Sequence, residues 1–551
     1  MRNARYRIML LAVAVSASPS LWGQRGGRGA SGAASQAGAP AAAAPATPAP
    51  QTAAPAAAGA GRGGGAASDE FYNFNPAAAQ VRLDPNVDKP PVETQQKITV
   101  NGQPLAYTTH AGFLPLPNAT TGITEAHVFF TAYTKDGVSD AAARPIMFFF
   151  GGAPGVSAAW QEFGGFGPKR MKPEGGWTDN PDTILNQADL VFVNPVGTGY
   201  SFPVQAARGS IFWSTAGDIA SLGGFVRVYL DRNNRLASPL FIAGEDVATG
   251  RVGGLAAYLT EHTIPVRGVV LLSLAPAADA TVGDWQYINL LPSLTMASWF
   301  HKKLPAELNS MSSEQIAGQA RQFAAREYLH ALHKGDQMTA AERNKAVADM
   351  MRLTGLSKAF VVNNDLRVSL DRYSAELMRD QRQALSRSDA RVSGYVPMTG
   401  GGRGGGGGGG RGGTPIDFNM SRISGPFAAT YGEYLRRELT FTARKDGIFY
   451  LSSGGVSGFT STGNDDTSLS AAFARDPDLH LFVGINLFDL EAPFYEAEYA
   501  LAHMDVSPQV RDHNITISHQ EAGAMAYLDD KARVKLERDL GGFITGAAPS
   551  K

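Results

Sequence analysis

The sequence predicts an α/β fold built on a mostly parallel sheet, and three observations support that class. Solid apolar runs such as Pro145–Phe150 and Asp189–Val193 have the composition of strands that are covered on both faces. An amphipathic segment of helical period, Asp218–Tyr229, follows these runs. In Pro239–Gly254, a short strand, a sharp turn and a helix succeed one another. Strands that alternate with helices indicate parallel pairing.

The amino-acid composition of the chain excludes several classes of binding partner and of site. The chain has 551 residues, a formal net charge of −1 and 44% hydrophobic residues. A charge this close to zero gives no electrostatic attraction to nucleic acid or to an anionic membrane surface. The sequence contains no cysteine, which excludes disulfides, thiol nucleophiles and thiolate metal ligands. We expect a globular protein with a sizeable core, no nucleic-acid partner and no cofactor.

The first 23 residues have the pattern of a secretory signal peptide. Arg2, Arg5 and Arg7 precede the apolar run Ile8–Val15, and small residues follow. This run is too short to span a bilayer, and a short buried helix is the alternative interpretation. The pattern predicts an exported protein, periplasmic or extracellular, with no integral membrane segment once the signal is removed.

Composition also divides the rest of the chain. Residues 24–68 are mostly Gly, Ala and Pro, which predicts a disordered linker. Residues 69–283 are predicted to form the first part of an α/β core, and residues 424–551 the second part. Between them, residues 284–423 are mostly helical in pattern and predict an inserted cap, which contains a glycine-rich loop at 399–414.

The elements of the core follow in order from a hairpin at its N-terminal end. Asn101-Gly102 separates the alternating runs Lys97–Val100 and Leu105–Thr109, and this dipeptide favours a tight hairpin turn. The other predicted elements are strands at His127–Tyr133, Pro145–Phe150, Asp189–Val193, Leu240–Ala243 and Gly268–Leu274, cap helices at Ser313–His333, Thr339–Leu353 and Leu370–Leu385, strands at Leu479–Val483 and Ile515–His519, and a closing helix at Asp530–Ile544.

The strand–turn–helix segment resembles the nucleophile elbow G-x-S-x-G of α/β-hydrolases. Its sequence after the strand is Gly244-Glu245-Asp246-Val247-Ala248. The nucleophile position therefore holds Asp246, and alanine replaces the last glycine. Aspartate tolerates the unusual backbone angles of such a turn, so Asp246 can also serve simply to shape it.

Several motifs together resemble the serine carboxypeptidase family of the carboxypeptidase Y and cathepsin A type, especially its exported bacterial members. The motifs occur in family order in Phe148–Pro168, Asn194–Ser201, Asn233–Gly250, Phe488–Phe494 and Gln520–Tyr527. The resemblance runs from about residue 97 to the C-terminus. It implies an α/β-hydrolase core with a helical cap, and an activity that releases C-terminal residues from peptides.

The resemblance assigns the catalytic positions residue by residue. The nucleophilic serine of the family corresponds to Asp246, and its general-base histidine corresponds to Ala524. Its orienting aspartate corresponds to Asp489, which is present. Acyl transfer needs both a nucleophile and a base that takes its proton, and alanine cannot move a proton. The substitutions predict a catalytically inactive homologue that binds a peptide or small molecule.

The resemblance also assigns the oxyanion and substrate-binding positions. The oxyanion loop corresponds to Gly151 and Gly152, with Val247 after the nucleophile position, and Ala153 makes this loop one residue longer than in the family. The asparagine that helps to hold the terminal carboxylate of the substrate corresponds to Phe150. The glutamate that shares this role is retained as Glu245.

The same residues also allow the alternative interpretation that the protein is an active hydrolase. An active hydrolase could use Asp246 as a covalent nucleophile or act as a carboxypeptidase by an unusual route. The first needs a histidine to activate water, and His513 and His519 are the histidines nearest to Ala524 in sequence. Ser157 and Ser201 are alternative nucleophiles without a base.

Two further interpretations concern the protein as a whole. Glu245, Asp246 and Asp489 could form an acidic pocket, but no histidine-rich spacing supports a metal site, so none is predicted. A tethered surface or matrix protein is the remaining alternative to an enzyme or a binding protein. The oligomeric state has no signature in the sequence.

Overall fold

The structure is a computed structural model that describes residues 89–118, 122–152, 155–246, 248–275, 282–397, 416–442, 451, 459 and 466–548. The predicted signal peptide, the linker and the glycine-rich loop lie outside these residues, as do Val247 and Ala153.

Fourteen strands occur within the described residues. In chain order they are β1 (Val92–Val100), β2 (Gln103–Pro117), β3 (Thr124–Lys135), β4 (Ile146–Phe149), β5 (Lys169–Met171), β6 (Trp177–Asp179), β7 (Asp189–Val193), β8 (Phe202–Pro203), β9 (Leu240–Glu245), β10 (Gly268–Leu272), β11 (Gln383–Leu385), β12 (Ser393–Tyr395), β13 (His480–Asn486) and β14 (Ile515–Gln520).

Ten of these strands form one mixed sheet, in the order β1-β2-β3-β7-β4-β9-β10-β13-β14, with β8 paired to β3. The pairs from β7 to β14 are parallel, whereas β1, β2, β3 and β7 pair antiparallel. The predicted hairpin is confirmed: Asn101 and Gly102 have φ values of 50° and 76°, as a tight two-residue turn requires. The mostly parallel sheet predicted from the apolar runs is therefore correct.

The helices cover the sheet and form the cap. They are α1 (Ala159–Gln161), α2 (Thr215–Arg232), α3 (Ala248–Glu261), α4 (Trp285–Phe300), α5 (Ala306–Asn309), α6 (Ser313–Phe323), α7 (Leu329–Lys334), α8 (Ala340–Thr354), α9 (Lys358–Asn363), α10 (Leu370–Glu376), α11 (Phe418–Arg437), α12 (Asp466–Arg475), α13 (Phe494–His503), α14 (Pro508–His513) and α15 (Asp530–Ala547). Among the described helices, none combines the length and the apolarity that a bilayer crossing requires.

Two predictions about the cap are corrected. The predicted helix Leu370–Leu385 ends at Glu376, and its last residues form β11, which pairs with β12. Arg382 has a φ of 56°, a left-handed conformation that cannot continue a helix, and Leu385 is buried in the strand. The predicted boundary between residues 423 and 424 falls inside α11, so a single helix crosses it.

The core lies on both faces of the sheet because alternate residues of each strand point to opposite sides. Phe148 packs edge-on against Phe225 and Tyr229 of α2, whereas Phe149 belongs to a second cluster that includes Phe543 of α15. The parallel strands that carry these clusters all end at one edge of the sheet. Loops at the carboxyl ends of parallel strands are where α/β folds place their binding sites.

Candidate functional site

The predicted elbow is present at the end of β9. The strand ends at Glu245, Asp246 has a φ of 54°, and α3 begins at Ala248. The Asp246 N–H donates to the carbonyl of Leu272 at 2.9 Å, and the hydroxyl of Thr249 donates to the Asp246 carbonyl at 2.7 Å. Asp246 therefore holds the left-handed turn at which the nucleophile of a hydrolase would stand, and its side chain is half-buried there.

Asp489 lies in the loop after β13, and its carboxylate is 1% exposed. The hydroxyl of Ser273 donates to Oδ2, and the backbone N–H groups of Glu491 and Ala492 donate to Oδ1 at 2.9 and 3.1 Å. Burial raises the pKa of Asp489 well above its usual range, against the Ser273 hydrogen bond, and the charge of nearby Asp246 raises it further. The partners of this carboxylate within the described chain are thus a hydroxyl and two amides, not an imidazole.

Ser273 is the site residue that sequence reasoning missed. It directly follows β10, its φ is 50°, and its N–H donates to the Gly484 carbonyl at 2.9 Å. This places the hydroxyl at the carboxyl ends of β10 and β13. A serine one residue beyond a buried strand was the available signal, but the distance to Asp489 in sequence concealed the contact.

Ala524 lies in the loop after β14, with its backbone fixed on both sides. Its N–H donates to the Ser388 carbonyl at 2.7 Å, and its carbonyl accepts from Asn486 Nδ2 at 2.9 Å. Its methyl group borders a small, partly enclosed cavity that is also lined by Glu245, Ser273 and Asn486. The structure therefore brings the predicted base position together with the predicted elbow.

Glu245 is 4% exposed and also borders this cavity. Its Oε2 accepts a hydrogen bond from the hydroxyl of Tyr527 at 2.7 Å, while its Oε1 is buried without a hydrogen-bond partner in the described chain. Burial raises the pKa of Glu245 to about 8; the Tyr527 hydrogen bond opposes the increase, and the charges of Asp246 and Asp489 add to it. Glu245, Asp246 and Asp489 thus form one electrostatically coupled acidic group.

Hydrogen bonds from a buried arginine fix the predicted oxyanion loop. Arg251 Nη1 donates to the carbonyls of Phe150 and Gly152 at 3.1 and 3.0 Å, and its Nε donates to Asp218. Gly151 has a φ of 73°, and a Cβ there would lie 2.4 Å from a backbone carbonyl oxygen, so only glycine fits. Its N–H donates to Gln161 Oε1 at 3.1 Å. Arg251 and Gln161 are positioning residues that the sequence did not reveal.

Phe150 does not take the binding role predicted for it. Its side chain is fully buried in the core and stacks on Phe148 with 6.3 Å between ring centroids. Strand alternation continues past the end of β4 and directs both rings to the same face of the sheet. Only the backbone carbonyl of Phe150 takes part in the site, as an acceptor for Arg251.

A cap segment contacts the loops that carry Asp489 and Ala524. We call Ser386–Arg391, the loop between β11 and β12, the strap. The strap makes two further backbone hydrogen bonds besides the one to Ala524. The Arg387 carbonyl accepts from the N–H of Leu490 at 3.0 Å, and the N–H of Ala390 donates to the Phe488 carbonyl at 2.8 Å. A Cβ on Gly523 would lie 2.4 Å from the Ser388 carbonyl oxygen, so the two loops are in close contact. The cap is thereby fixed to the predicted base loop.

Asp417 anchors the strap at the start of α11. Its carboxylate accepts from the hydroxyls of Ser386 and Ser388 at 2.7 and 2.9 Å, from the amides of Arg387 and Ser388 at 3.1 and 2.9 Å, and from Met420 N at 2.8 Å. Burial opposes ionisation, but these hydrogen bonds outweigh it and hold the pKa of Asp417 below its usual range. The strap is therefore a fixed part of the site.

The alternative catalytic residues are engaged elsewhere. His519 is a residue of β14, and its Nε2 lies 2.7 Å from Glu498 Oε1. The hydroxyl of Ser157 donates to Asn194, and that of Ser201 donates to the Asn194 carbonyl at 2.6 Å. Both serines are buried and stabilise loops.

In the described part of the chain, no group of three acidic or histidine side chains has the geometry of a metal site.

The chain matches one family of known proteins over part of its length. Residues 100–274 match the model of the serine carboxypeptidase family. Among solved structures, Kex1(delta)p, a prohormone-processing carboxypeptidase from Saccharomyces cerevisiae, is similar with a TM-score of 0.50 at 12% identity, over 80% of this chain and 91% of that one. A thermostable carboxyl esterase from Bacillus coagulans covers 80% of this chain and 99% of its own, with 9% identity and a TM-score of 0.32. None of the curated proteins compared with the sequence matches it significantly.

The similarity to Kex1(delta)p shows the fold, and the family match extends across the predicted oxyanion loop, the elbow and Ser273. The chain has the α/β-hydrolase fold, and its residues 100–274 match the serine carboxypeptidase family.

Proposed function

We propose that this protein is a non-hydrolytic member of the serine carboxypeptidase group, which binds a ligand at the elbow instead of cleaving it. The observation that carries the proposal is the hydrogen bond from Ser273 to Asp489, beside an alanine at position 524. In a working triad, the aspartate orients a histidine and stabilises its charged form. Here that acceptor is taken by a hydroxyl, and the base position has no group that can carry a proton.

The expected loss of rate is large. Removal of the nucleophile or of the base from a triad leaves roughly 10³–10⁴-fold catalysis over water, which comes from binding and oxyanion stabilisation. The fold around the site is nevertheless retained: the elbow keeps its left-handed turn, and Arg251 keeps the oxyanion loop in place. A retained pocket without reacting groups supports binding.

The test is release of C-terminal residues from a panel of blocked dipeptides, with simple esters alongside. We expect no turnover above background from the purified protein or from its Asp246→Ala variant. Turnover by the native protein that Asp246→Ala abolishes would overturn the proposal. The Glu496→Gln variant changes a buried carboxyl outside the site and controls for contaminating hydrolases, whose activity no substitution in this chain alters.

The second candidate is a hydrolase that uses Asp246 as a covalent nucleophile. The positive φ of Asp246 at a half-buried elbow favours this alternative, because it is the conformation that presents a nucleophile. A desolvated position and the charges of Asp417 and Asp246 raise the pKa of Glu491 to about 7, although Arg387 lowers it. Glu491 is therefore the carboxyl near Asp246 that is best suited to activate water at neutral pH.

This candidate has its own signature. Hydrolysis of an ester on Asp246 by attack at its carboxyl carbon transfers an oxygen atom from water into the side chain. Turnover in ¹⁸O-water would therefore label Asp246, which mass spectrometry of the peptide that contains it detects. The Asp246 carboxylate forms such an ester by attack on an alkyl carbon, which displaces halide from a haloalkane or opens the ring of an epoxide. Absence of label after incubation with a haloalkane and an epoxide eliminates this route.

We also propose that the protein is exported, on the basis of the basic and apolar pattern of residues 1–23. Fractionation of cells that produce the full chain, together with the N-terminal sequence of the mature protein, tests it. A mature chain that still begins at Met1 in the cytoplasm would overturn this proposal without affecting the one on binding.

A further inference from the structure

The cavity beside Ala524 contains an unsatisfied acceptor. Glu245 is more than nine-tenths buried, and its Oε1 has no hydrogen-bond partner in the described chain, although its Oε2 is bound by Tyr527. A buried carboxyl oxygen without a partner costs about 1–3 kcal/mol, and more when it is charged. Such an atom at the wall of a cavity indicates that a hydrogen-bond donor occupies the cavity.

The other polar atoms at this cavity are also acceptors. The hydroxyl of Ser273 donates its hydrogen to Asp489, which leaves its oxygen lone pairs available. The amide nitrogen of Asn486 donates to the Ala524 carbonyl, so that its amide oxygen is left to accept. With Glu245 ionised, three residues that line the same space therefore each have a side-chain acceptor available.

The charge around the cavity favours a cation over a neutral donor. Asp489 is buried next to it, and Asp246 interacts electrostatically with both Asp489 and Glu245. No lysine or arginine is among the residues that line the cavity within the described chain. A cation placed there would stabilise the ionised forms of Glu245 and Asp489, which burial and the neighbouring charges disfavour.

Size and geometry narrow the class of cation. The cavity has room for about one water molecule, which is also the size of an ammonium group. A primary ammonium has three N–H donors, the same number as the acceptors identified above. A guanidinium is larger and planar, and a quaternary ammonium has no donor at all.

We propose that this cavity binds a primary ammonium group, R–NH₃⁺, whose N–H bonds are directed at Glu245 Oε1, Ser273 Oγ and the amide oxygen of Asn486. This inference rests on the proposed function, because it names the ligand class of a site that binds without hydrolysis.

Binding is expected to depend on pH through Glu245. At neutral pH its raised pKa, about 8, keeps the group mostly protonated, so the ammonium must displace that proton. Asp246, Asp489 and Tyr527 are the titratable groups that face it, and the two aspartates favour the same exchange. Affinity should therefore rise up to about tenfold per pH unit between pH 6 and 8, with release of about one proton per ligand.

Calorimetric titration with methylammonium chloride tests the proposal. The titration is carried out on the full-length protein at pH 6, 7 and 8, in two buffers of different ionisation enthalpy. We expect saturable binding that strengthens with pH and releases protons. Tetramethylammonium, which has the positive charge but no N–H, is expected not to bind. A titration with Nα-acetyl-lysine amide tests whether a lysine side chain can supply the ammonium group.

Two variants make the test specific. Glu245→Gln keeps an acceptor for Tyr527 but removes the charge, and Ala524→Val fills the cavity with methyl groups; each is expected to weaken binding at least about tenfold. Glu496→Gln, a buried carboxyl that does not line the cavity, is expected to bind as the native chain does. Circular dichroism checks that each variant is folded.

The outcomes separate this inference from the proposed function. No binding of methylammonium at pH 8, or equal binding of methylammonium and tetramethylammonium, overturns the inference and leaves a water molecule as the occupant. Equal affinity for native protein and Ala524→Val overturns it as well. None of these results bears on hydrolysis, which the peptide and ester panel measures independently.

Discussion

The hydroxyl of Ser273 donates a hydrogen bond to Oδ2 of Asp489, although 216 residues separate them in sequence. The contact exists because β10 and β13 are parallel neighbours, so that the residues after them meet at one edge of the sheet. The buried carboxyl group of Asp489 is thereby hydrogen-bonded to a hydroxyl. An alanine at the predicted base position and a serine bound to Asp489 are consistent with each other, since a buried carboxyl group without a hydrogen-bond partner would be costly.

The first prediction concerns reconstruction of a triad. The double change Asp246→Ser with Ala524→His restores the two reacting residues, but Ser273 still occupies the acceptor that the new histidine needs. Addition of Ser273→Ala should therefore raise esterase activity at least about tenfold over the double variant, because an oriented base is worth up to about 10⁴ in rate. Initial rates with an activated ester measure this effect.

The matched control for that comparison is Ser273→Ala alone, which is expected to be inactive. If the triple variant is no faster than the double variant while both remain folded, competition by Ser273 is not what limits the reconstructed site.

The second prediction concerns the strap. Asp417→Ala removes four hydrogen bonds that fix Ser386–Arg391 to the start of α11, together with the one that caps the Met420 N–H. Loss of this anchor should let the strap open locally, so that the amides of Ala390 and Ala524 exchange with solvent at least about tenfold faster. Hydrogen–deuterium exchange with mass spectrometry measures both peptides in one experiment.

Asp371→Ala is its control, because Asp371 binds Arg387 of the strap from an exposed position. Exchange at Ala524 should change little in that variant. Unchanged exchange in Asp417→Ala would show that the loops themselves, and not the anchor, hold the strap.

The third prediction concerns the buried pair under the oxyanion loop. Arg251→Ala leaves Asp218 buried without its partner and frees the carbonyls of Phe150 and Gly152, which should lower the free energy of unfolding by about 3–5 kcal/mol. The double change Arg251→Ala with Asp218→Ala should cost less than the sum of the single changes. Urea unfolding followed by circular dichroism measures all three variants.

A surface pair provides the comparison. Lys345 binds Asp349 one helical turn away on α8, and its loss should change stability by less than about 1 kcal/mol. Additive losses in the Arg251 and Asp218 variants would mean that the two side chains stabilise the loop independently.

The fourth prediction concerns a buried carboxyl outside the site. Glu162 accepts from the hydroxyls of Tyr133 and Tyr431 at 2.6 and 2.7 Å, and Tyr431 belongs to α11. Burial raises the pKa of Glu162 from 4.5 to about 7, although these hydrogen bonds oppose the increase. The folded state then holds the proton more tightly than the unfolded state, so this contribution to stability is present at low pH and is lost as pH rises from about 4.5 to 7.

Glu162→Gln should therefore reduce the difference in unfolding free energy between pH 5 and pH 8 by up to about 3 kcal/mol. Urea unfolding at the two pH values measures the difference, with Glu314→Gln on the exposed surface of α6 as the control. An identical pH dependence in native protein and Glu162→Gln would contradict the shifted pKa.

Much of the fold was predictable from local pattern. The strand Asp189–Val193 was predicted with the correct ends because every residue in it is buried, and such a run needs both faces covered. The cap was harder, because the residues after Glu376 favour a helix by themselves. The last of them form β11, which pairs with β12 and in which Leu385 is buried.

The same distinction between local pattern and tertiary structure applies to the site residues. The sequence by itself determined the identities at the predicted catalytic positions: Asp246 at a sharp turn, Ala524 without a titratable group, and Asp489 after a strand. These follow from residue chemistry and from motif order along the chain. The tertiary structure decided which groups meet them, because parallel strands bring the residues that follow them together at one edge regardless of their separation in sequence. It directed Phe150 into the core, placed Ser273 on Asp489, and left Glu245 Oε1 at the wall of a cavity.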